Sequence, residues 1–296
     1  MEKITAAEKN VRDYYEKIWS QSSRVRDRDK NPFLGFHYGL YEKGIKDWKE
    51  AAVNMNDFVG RLLKLDCNKH MNILDAGCGI GSTSVYLAMK YPNVKFTGIT
   101  LAPSEIKYAK KLQKEKKIKN TEFILGGYIN SNFPDNSFDG VFAIESFCYT
   151  ENGKEFVKEI KRILKSHGKL IIIDGFQINK SLGSFMQNVY TSFLNRRALT
   201  NLILLNEFIL NLENEGFENI SVLDLSKNKG IIYNFLQFDF LVFIFKFFSL
   251  QFNRLIRGKK YRPKEDIDYI FSAQVPEFLL GLSKKIRYYA VTAIKK

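Results

Sequence analysis

The pattern of apolar and polar positions divides the chain into a helical first part and a longer part in which elements alternate. Residues 1–65 carry helical periodicity around Val11, and a second helix is predicted from Asp47 to about Leu65. From Met71 onward, short apolar runs such as NILDAG, VKFTGIT and GKLIIIDG alternate with amphipathic helical stretches. This alternation predicts a parallel sheet with helices on both faces. The near-continuous run LIIID is typical of a strand buried on both sides.

The alternation breaks after Gly175. A helical insert over about 177–215 precedes a further strand, FENISVLDLS, and a second insert precedes a last strand, IRYYAVTAI. No internal repeat or low-complexity linker is present, which indicates one domain with cap elements. The predicted organisation is a helical N-terminal lid in 1–65, a core in 66–176, and helical cap insertions with the last two core strands in 177–296.

The composition indicates a well-packed globular protein, since 45% of the 296 residues are hydrophobic. The chain has no run of about 18 uninterrupted apolar residues, and its first residues are charged and helical in pattern. A cytoplasmic location is therefore the default expectation. The three cysteines and three histidines share no metal-ligand spacing, so neither a disulfide framework nor a metal site is favoured.

The net charge of +14 leaves three partners open: nucleic acid, an anionic membrane surface or an anionic substrate. Much of this charge lies in the helical stretch IKYAKKLQKEKKIKN, around its outer face. The lysines concerned are Lys107, Lys110, Lys111, Lys114 and Lys117. Such a distribution is typical of a solvated helix face, and it weakens the case for nucleic acid.

The strongest local signal is the segment ILDAGCGIG, residues 73–81, in which an apolar strand ends near Asp75 and leads into a helix near Ser82. Its alternating glycines are Gly77, Gly79 and Gly81. Glycine lets the chain reverse tightly while bare backbone lies against a ligand. Ser82 stands where a dinucleotide fingerprint has its third glycine. A ligand without phosphate, such as S-adenosylmethionine, has less need of a diphosphate cradle, and Asp75 could hold its positively charged end.

This turn resembles that of the class I S-adenosylmethionine-dependent methyltransferases, and the resemblance covers the chain from about Tyr14 onward. The segment VKFTGITLAPSEIKYA resembles more specifically the second strand of the tocopherol, sterol, cyclopropane-fatty-acid and prenyl-diphosphate C-methyltransferase group. The resemblance implies an α/β, Rossmann-like, doubly wound fold with a mostly parallel seven-stranded sheet, a helical N-terminal lid and helical cap insertions. It also implies S-adenosyl-L-methionine as cofactor and S-adenosyl-L-homocysteine as product.

The resemblance also implies a set of cofactor-binding residues. These are Tyr14, Asp75, Gly77, Gly79, Thr100, Leu101, Tyr128, Ile129 and Glu145. Thr100 stands where most of the superfamily has an acidic residue that grips the ribose, so Glu105 is a further candidate there. Gly127 stands where an aspartate usually contacts the adenine amine, which leaves adenine to Tyr128 and Ile129. Tyr14 would reach the methionine end.

The stretch ESFCY follows the predicted fourth strand, at the sheet edge where ligands of open α/β sheets bind. Methyl transfer needs alignment, exclusion of water and, for some acceptors, a base. Glu145 could orient the cofactor, take a proton after an alkene is methylated, or cap the next helix near Asn152. Ser146 and Tyr149 would face cofactor and acceptor.

The segment FHYGLYE resembles the HYG segment that folds over the cofactor in the same group. His37 and Tyr38 would line the acceptor cavity, where aromatic faces can stabilise a positive charge. A packed histidine among aromatic residues remains the alternative for His37. The candidate catalytic residues are thus Glu145, Tyr149 and His37, and the candidate substrate-binding residues are Tyr38 and Ser146.

Residues 231–252 are rich in phenylalanine and are interrupted by Asp239 and Lys246, which disfavours a membrane span. Three interpretations stay open: a cap that lines an apolar acceptor pocket, a surface that docks on a membrane, and ordinary core. A run of basic residues up to Arg262 follows, and it could hold lipid headgroups or a substrate diphosphate. Peripheral membrane contact through 231–262 is therefore one expectation.

The expected function is transfer of a methyl group from S-adenosylmethionine to a small hydrophobic acceptor, such as a prenyl, terpenoid, sterol-like or fatty-acyl compound, at carbon. A cyclopropane-forming lipid methyltransferase and an RNA-modifying methyltransferase are the alternatives. The RNA alternative is weakened because ESFCY stands where amine-methylating base enzymes carry an Asn/Asp-Pro-Pro-aromatic loop. A non-catalytic binding protein and a homo-oligomer also stay open.

Overall fold

The computed structural model describes residues 4–21, 32–35, 37–179, 181–227 and 284–296. The N-terminal part forms two helices, α1 (Ala6–Gln21) and α2 (Trp48–Leu63). The core follows in the order β1 (Met71–Ala76), α3 (Ser82–Lys90), β2 (Val94–Thr100), α4 (Pro103–Glu115), β3 (Thr121–Leu125), β4 (Phe138–Ile144), α5 (Gly153–Ile163) and β5 (Leu164–Gln177). The later described elements are α6 (Ser184–Arg196), α7 (Leu205–Asn214), β6 (Phe217–Asp224) and β7 (Ile286–Lys295).

The seven strands form one sheet in the order β3-β2-β1-β4-β5-β7-β6. Strands β1 to β5 run parallel to one another, and β7 runs antiparallel to both β5 and β6. This confirms the predicted mostly parallel, doubly wound sheet closed by two C-terminal strands. The strand order reverses between β1 and β4, and ligands of such sheets bind beyond the carboxyl ends of the strands at this reversal.

Both faces of the sheet are covered by helices that bury apolar side chains. On one face, α5 and α7 contribute Phe156, Ile160 and Phe208 to a core that also holds β5 side chains. On the other face, α2 and α3 contribute Met55 and Leu87. The middle of β5 is fully buried from Ile171 to Ile173, as expected for a strand covered on both sides.

The helix predicted from Asp47 is confirmed, because the Asp47 side chain caps α2 by accepting hydrogen bonds from the backbone N–H groups of Lys49 and Glu50. The insert after Gly175 contains α6 and α7, also as predicted. Four of the five lysines lie in α4 and Lys117 lies just beyond its end, and all five are exposed, which agrees with a solvated helix face.

The predictions for residues 231–262 lie outside the described residues. Among the helices that the structure describes, none is long and apolar enough to cross a membrane. Nor do the described side chains include a cluster of histidine, cysteine or carboxylate groups suited to hold a metal ion.

Candidate active site

The glycine turn after β1 keeps its backbone bare for steric reasons. Gly77, Gly79 and Gly81 have φ angles of +83°, +51° and +73°, a region that side chains disfavour. A Cβ on Gly77 would collide with the Cβ of Ser146. The backbone N–H groups of Gly77 and Cys78 both donate to the carbonyl of Ile99, at 3.0 and 2.9 Å, which ties the turn to β2.

A cavity of about 580 Å³ lies beyond the carboxyl ends of β1, β2, β4 and β5. It includes twelve of the predicted site residues: His37, Tyr38, Asp75, Gly77, Gly79, Thr100, Leu101, Tyr128, Ile129, Glu145, Ser146 and Tyr149. Tyr14, predicted to contact the cofactor, is not among the described lining residues and its role stays a prediction; Tyr15 is the tyrosine of α1 that lines the cavity. The reason is the rotation of α1, which points the Tyr15 hydroxyl at the Tyr149 hydroxyl, 3.0 Å away.

Three strands bring carboxyl groups to the cavity: Asp75 from β1, Glu145 after β4 and Asp174 in β5. Asp75 and Asp174 are buried, and Glu145 is half-buried. The side chain of Asp75 accepts a hydrogen bond of 2.7 Å from the Ser84 hydroxyl. Burial nevertheless raises the pKa of Asp75 to about 7. A buried carboxylate lacks stabilisation by water, so it favours a positively charged ligand that pairs with its negative charge.

Glu145 lines the cavity just after β4. Its Oε1 accepts hydrogen bonds from the backbone N–H of Tyr38 at 2.6 Å and from the hydroxyl of Tyr288 at 2.8 Å. Burial raises the pKa of Glu145 to about 8, and the neighbouring charge of Asp174 adds to this effect. Its φ of +49° is unusual for a residue with a side chain.

The helix-cap alternative for Glu145 is wrong. Asn152 itself caps α5, because its side-chain oxygen accepts from the backbone N–H groups of Lys154 and Glu155. Glu145 is held instead by hydrogen bonds from Tyr38 and Tyr288.

Sequence reasoning missed Asp174 and Tyr288. Asp174 accepts from the backbone N–H groups of Cys148 and Gly175 at 2.9 and 2.7 Å, and burial raises its pKa to about 6. It ends the apolar run LIIID, so the rule that identified Asp75 at a strand end could have found it. Tyr288 carries no comparable signal, because it reaches the cavity only through the pairing of β7 with β5.

Thr100 and Glu105 form one buried unit at the end of β2. The Thr100 hydroxyl donates to Glu105 Oε2 at 2.6 Å, and Glu105 is 3% exposed. Glu105 comes from the first turn of α4 and also lines the cavity. A carboxylate is therefore present beside this strand end although the strand itself ends in threonine.

The remaining predicted residues hold one another in place. The Tyr128 hydroxyl donates to the carbonyl of Ser146 at 2.6 Å, and the Ser146 hydroxyl donates to the carbonyl of Ala76. His37 Nδ1 lies 3.0 Å from the carbonyl of Tyr38, so its ring is ordered by its own segment. The Tyr38 ring packs edge-on against Tyr288, with ring centres 5.8 Å apart.

The chain is similar in sequence to known methyltransferases. Residues 74–172 match a family model described as a methyltransferase domain. The chain is 28% identical to norajmaline N-methyltransferase from Rauvolfia serpentina over 65% of this chain and 70% of that protein. It is 27% identical to the chloroplastic tocopherol O-methyltransferase from Arabidopsis thaliana over 65% of this chain and 60% of that protein.

In fold, the chain is similar to geranyl diphosphate C-methyltransferase from Streptomyces coelicolor A3(2), solved with Mg²⁺, geranyl-S-thiolodiphosphate and S-adenosyl-L-homocysteine. The TM-score is 0.75 with 14% identity, covering 100% of both chains. The matched methyltransferase domain, the sheet order and the bare glycine turn resemble those of the class I S-adenosylmethionine-dependent methyltransferases. Its cofactor is S-adenosylmethionine.

Proposed function

We propose that the chain methylates a small hydrophobic acceptor, of the prenyl, terpenoid, sterol-like or fatty-acyl kind, at carbon. The observation that carries this proposal is the chemistry of the cavity wall. Apart from the glycine turn and the carboxyl groups, the described lining is mostly aromatic or aliphatic, and it includes Tyr15, Tyr38, Tyr149, Phe193, Leu199, Leu202, Ile286 and Tyr288. Such a wall favours an apolar compound over a sugar or a polynucleotide.

The cofactor fits the other part of the cavity. The buried carboxyl of Asp75 suits the positively charged end of the cofactor. The backbone of Gly77 and Gly79, which carries no Cβ, leaves room for the cofactor to lie against it. The hydroxyl of Thr100 and the carboxylate of Glu105 suit a ribose. When bound, S-adenosylmethionine supplies a methyl group activated by a positively charged sulfur.

Glu145 suits the role of base. Oε1 accepts both of the hydrogen bonds described above, and they hold the side chain in place. The carboxyl group lines the cavity. With a pKa near 8 it can hold a proton that a methylated carbon acceptor releases. The surrounding tyrosine rings exclude water and can stabilise a positive charge on the acceptor.

The named relatives support an acceptor of this size while differing in the atom methylated, since their names specify nitrogen, oxygen and carbon. The test is an acceptor panel with isotopically labelled S-adenosylmethionine: geranyl diphosphate, a sterol, a prenylated quinol, an unsaturated phospholipid and a structured RNA. We expect label in at least one apolar acceptor, on carbon by mass fragmentation. Label only in RNA would favour an RNA-modifying methyltransferase instead. A cyclopropane in the phospholipid would favour a cyclopropane-forming lipid methyltransferase.

A further inference from the structure

The first two residues of the loop after β3, Gly126 and Gly127, line the cavity without a side chain. The carboxylate of Glu8, from α1, reaches into this space. A Cβ on Gly127 would collide with Glu8 Oε1, while the next nearest atoms, Glu8 Cδ and Leu101 Cδ2, would lie 3.4 and 3.7 Å away. Glycine at 127 thus leaves room for a carboxylate that a distant helix supplies.

Glu8 is held in this position by the start of its own helix. The backbone N–H of Thr5 donates to Glu8 Oε2 at 2.8 Å, and the backbone N–H of Glu8 donates to the Thr5 hydroxyl at 3.1 Å. This reciprocal pair is a capping box, which fixes the glutamate side chain. One carboxylate oxygen is engaged by Thr5, and the other lies against Gly127 in the cavity wall.

Helix α1 is docked over this end of the cavity by two further contacts. The side chain of Glu16 accepts a hydrogen bond of 2.8 Å from the backbone N–H of Ser104, at the start of α4. The Tyr15 hydroxyl donates to the Tyr149 hydroxyl at 3.0 Å. The position of Glu8 is therefore set by the docking of the whole helix.

The strand ends indicate which part of the nucleoside Glu8 meets. The positive end of the cofactor belongs at Asp75 in β1 and the ribose at Thr100 in β2, so the base extends toward the β3 loop, next in the sheet order. Adenine presents an exocyclic amine, a hydrogen-bond donor that needs an acceptor in a buried site. We propose that Glu8 accepts this hydrogen bond, so that the N-terminal helix forms part of the adenine-binding site.

This inference rests on the use of S-adenosylmethionine in the proposed function and is independent of the acceptor. It predicts that recognition of the adenine amine and docking of α1 are coupled, because a single carboxylate serves both. Nucleoside binding should therefore slow hydrogen exchange of the α1 backbone amides.

The test compares S-adenosylhomocysteine with S-inosylhomocysteine, in which a carbonyl oxygen replaces the amine, by calorimetric titration without any acceptor. Wild type should prefer the amine. In Glu8→Gln the amide oxygen can still accept from Thr5 and preserve the cap. The amide N–H₂ then faces the ligand, which should weaken the amine form by about 10-fold and favour the carbonyl form. The control on the same helix, Glu16→Gln, should keep the wild-type preference.

A second pair of variants leaves Glu8 in the chain. In Gly127→Ala the new Cβ occupies the site of the carboxylate oxygen, so the preference for the amine should fall as in Glu8→Gln. In Gly126→Ala the new Cβ would make only an ordinary contact, 3.4 Å from Ile99 Cδ1, so the preference should persist. A wild-type preference ratio in both Glu8→Gln and Gly127→Ala would overturn the inference. Failure of the folded wild type to bind either nucleoside would overturn it together with the cofactor assignment, whereas failure of the acceptor panel alone would not.

Discussion

Gly77 is the residue at which the site tolerates least change. Replacement by alanine brings a Cβ against Ser146 at a φ of +83°. The positive φ costs an alanine at this position about 1–2 kcal/mol of folding stability. In the folded fraction of Gly77→Ala, we expect S-adenosylhomocysteine binding to be weakened at least 10-fold. The control is Gly216→Ala, which has a similar φ of +81° but open space around its Cβ. Equal binding by the two variants would mean that the turn does not contact the nucleoside.

Glu145 makes the reaction depend on pH. Because burial raises its pKa to about 8, the group is mostly protonated at pH 6 and becomes a competent base only as the pH rises. The rate with saturating cofactor should therefore increase with pH and level off above about pH 8. Glu145→Gln should lower the rate by about 10²–10⁴ and remove this rise. An unchanged pH profile in Glu145→Gln would exclude the role of base.

The residues of the site differ in how far sequence could predict them. Asp75 and Glu145 end apolar runs, and the rule that ligands bind at strand ends was sufficient for their placement in the cavity. Asp174 obeys the same rule. The approach of Glu8 to Gly127 could not be predicted, because it depends on how a helix far away in the sequence docks on the sheet.

Among the helices and strands, those whose structure depends on nearby residues are the ones that sequence patterns predict. The strand–turn–helix unit from β1 to α3 follows from an apolar run, three glycines and a helical repeat, and its bounds came out as expected. The antiparallel placement of β7 between β5 and β6 could not be predicted in this way, since long-range pairing leaves little trace in local periodicity. The rotation of α1 was not predicted, because periodicity identifies its apolar face without fixing which tyrosine meets the Tyr149 hydroxyl.

The rotation of α1 gives a prediction for that helix. Tyr15→Phe removes the hydrogen bond between the Tyr15 and Tyr149 hydroxyls, worth about 1 kcal/mol, which should speed hydrogen exchange of α1 about fivefold. Tyr14→Phe leaves that hydrogen bond intact and should have a smaller effect. Mass spectrometry of peptides from residues 6–17 measures both. A larger effect of Tyr14→Phe would instead favour Tyr14 as the tyrosine of α1 that faces the cavity.

For the whole molecule, the buried carboxyl groups link stability to pH. Burial raises the pKa values of Asp75, Glu145 and Asp174 to about 7, 8 and 6. The folded state therefore holds protons that the unfolded chain has released above about pH 4.5, so the free energy of unfolding should fall as the pH rises toward 8.

Glu145→Gln tests the share of one group in this dependence. Between pH 5 and pH 8.5, the loss of unfolding free energy in urea should be smaller than in wild type by roughly 1–3 kcal/mol. The exposed residue Glu155 provides the control, since Glu155→Gln should follow the wild-type curve. If both variants lose as much stability as wild type, Glu145 is not buried as a protonated group.

The most direct test of the account is a calorimetric titration of the folded wild-type chain with S-adenosylhomocysteine. We expect saturable binding of one nucleoside per chain, with Gly77→Ala strongly weakened under the same conditions. Two results would contradict the assignment of the cavity at the strand ends: no uptake of the nucleoside by the folded wild type, or equal binding by Gly77→Ala.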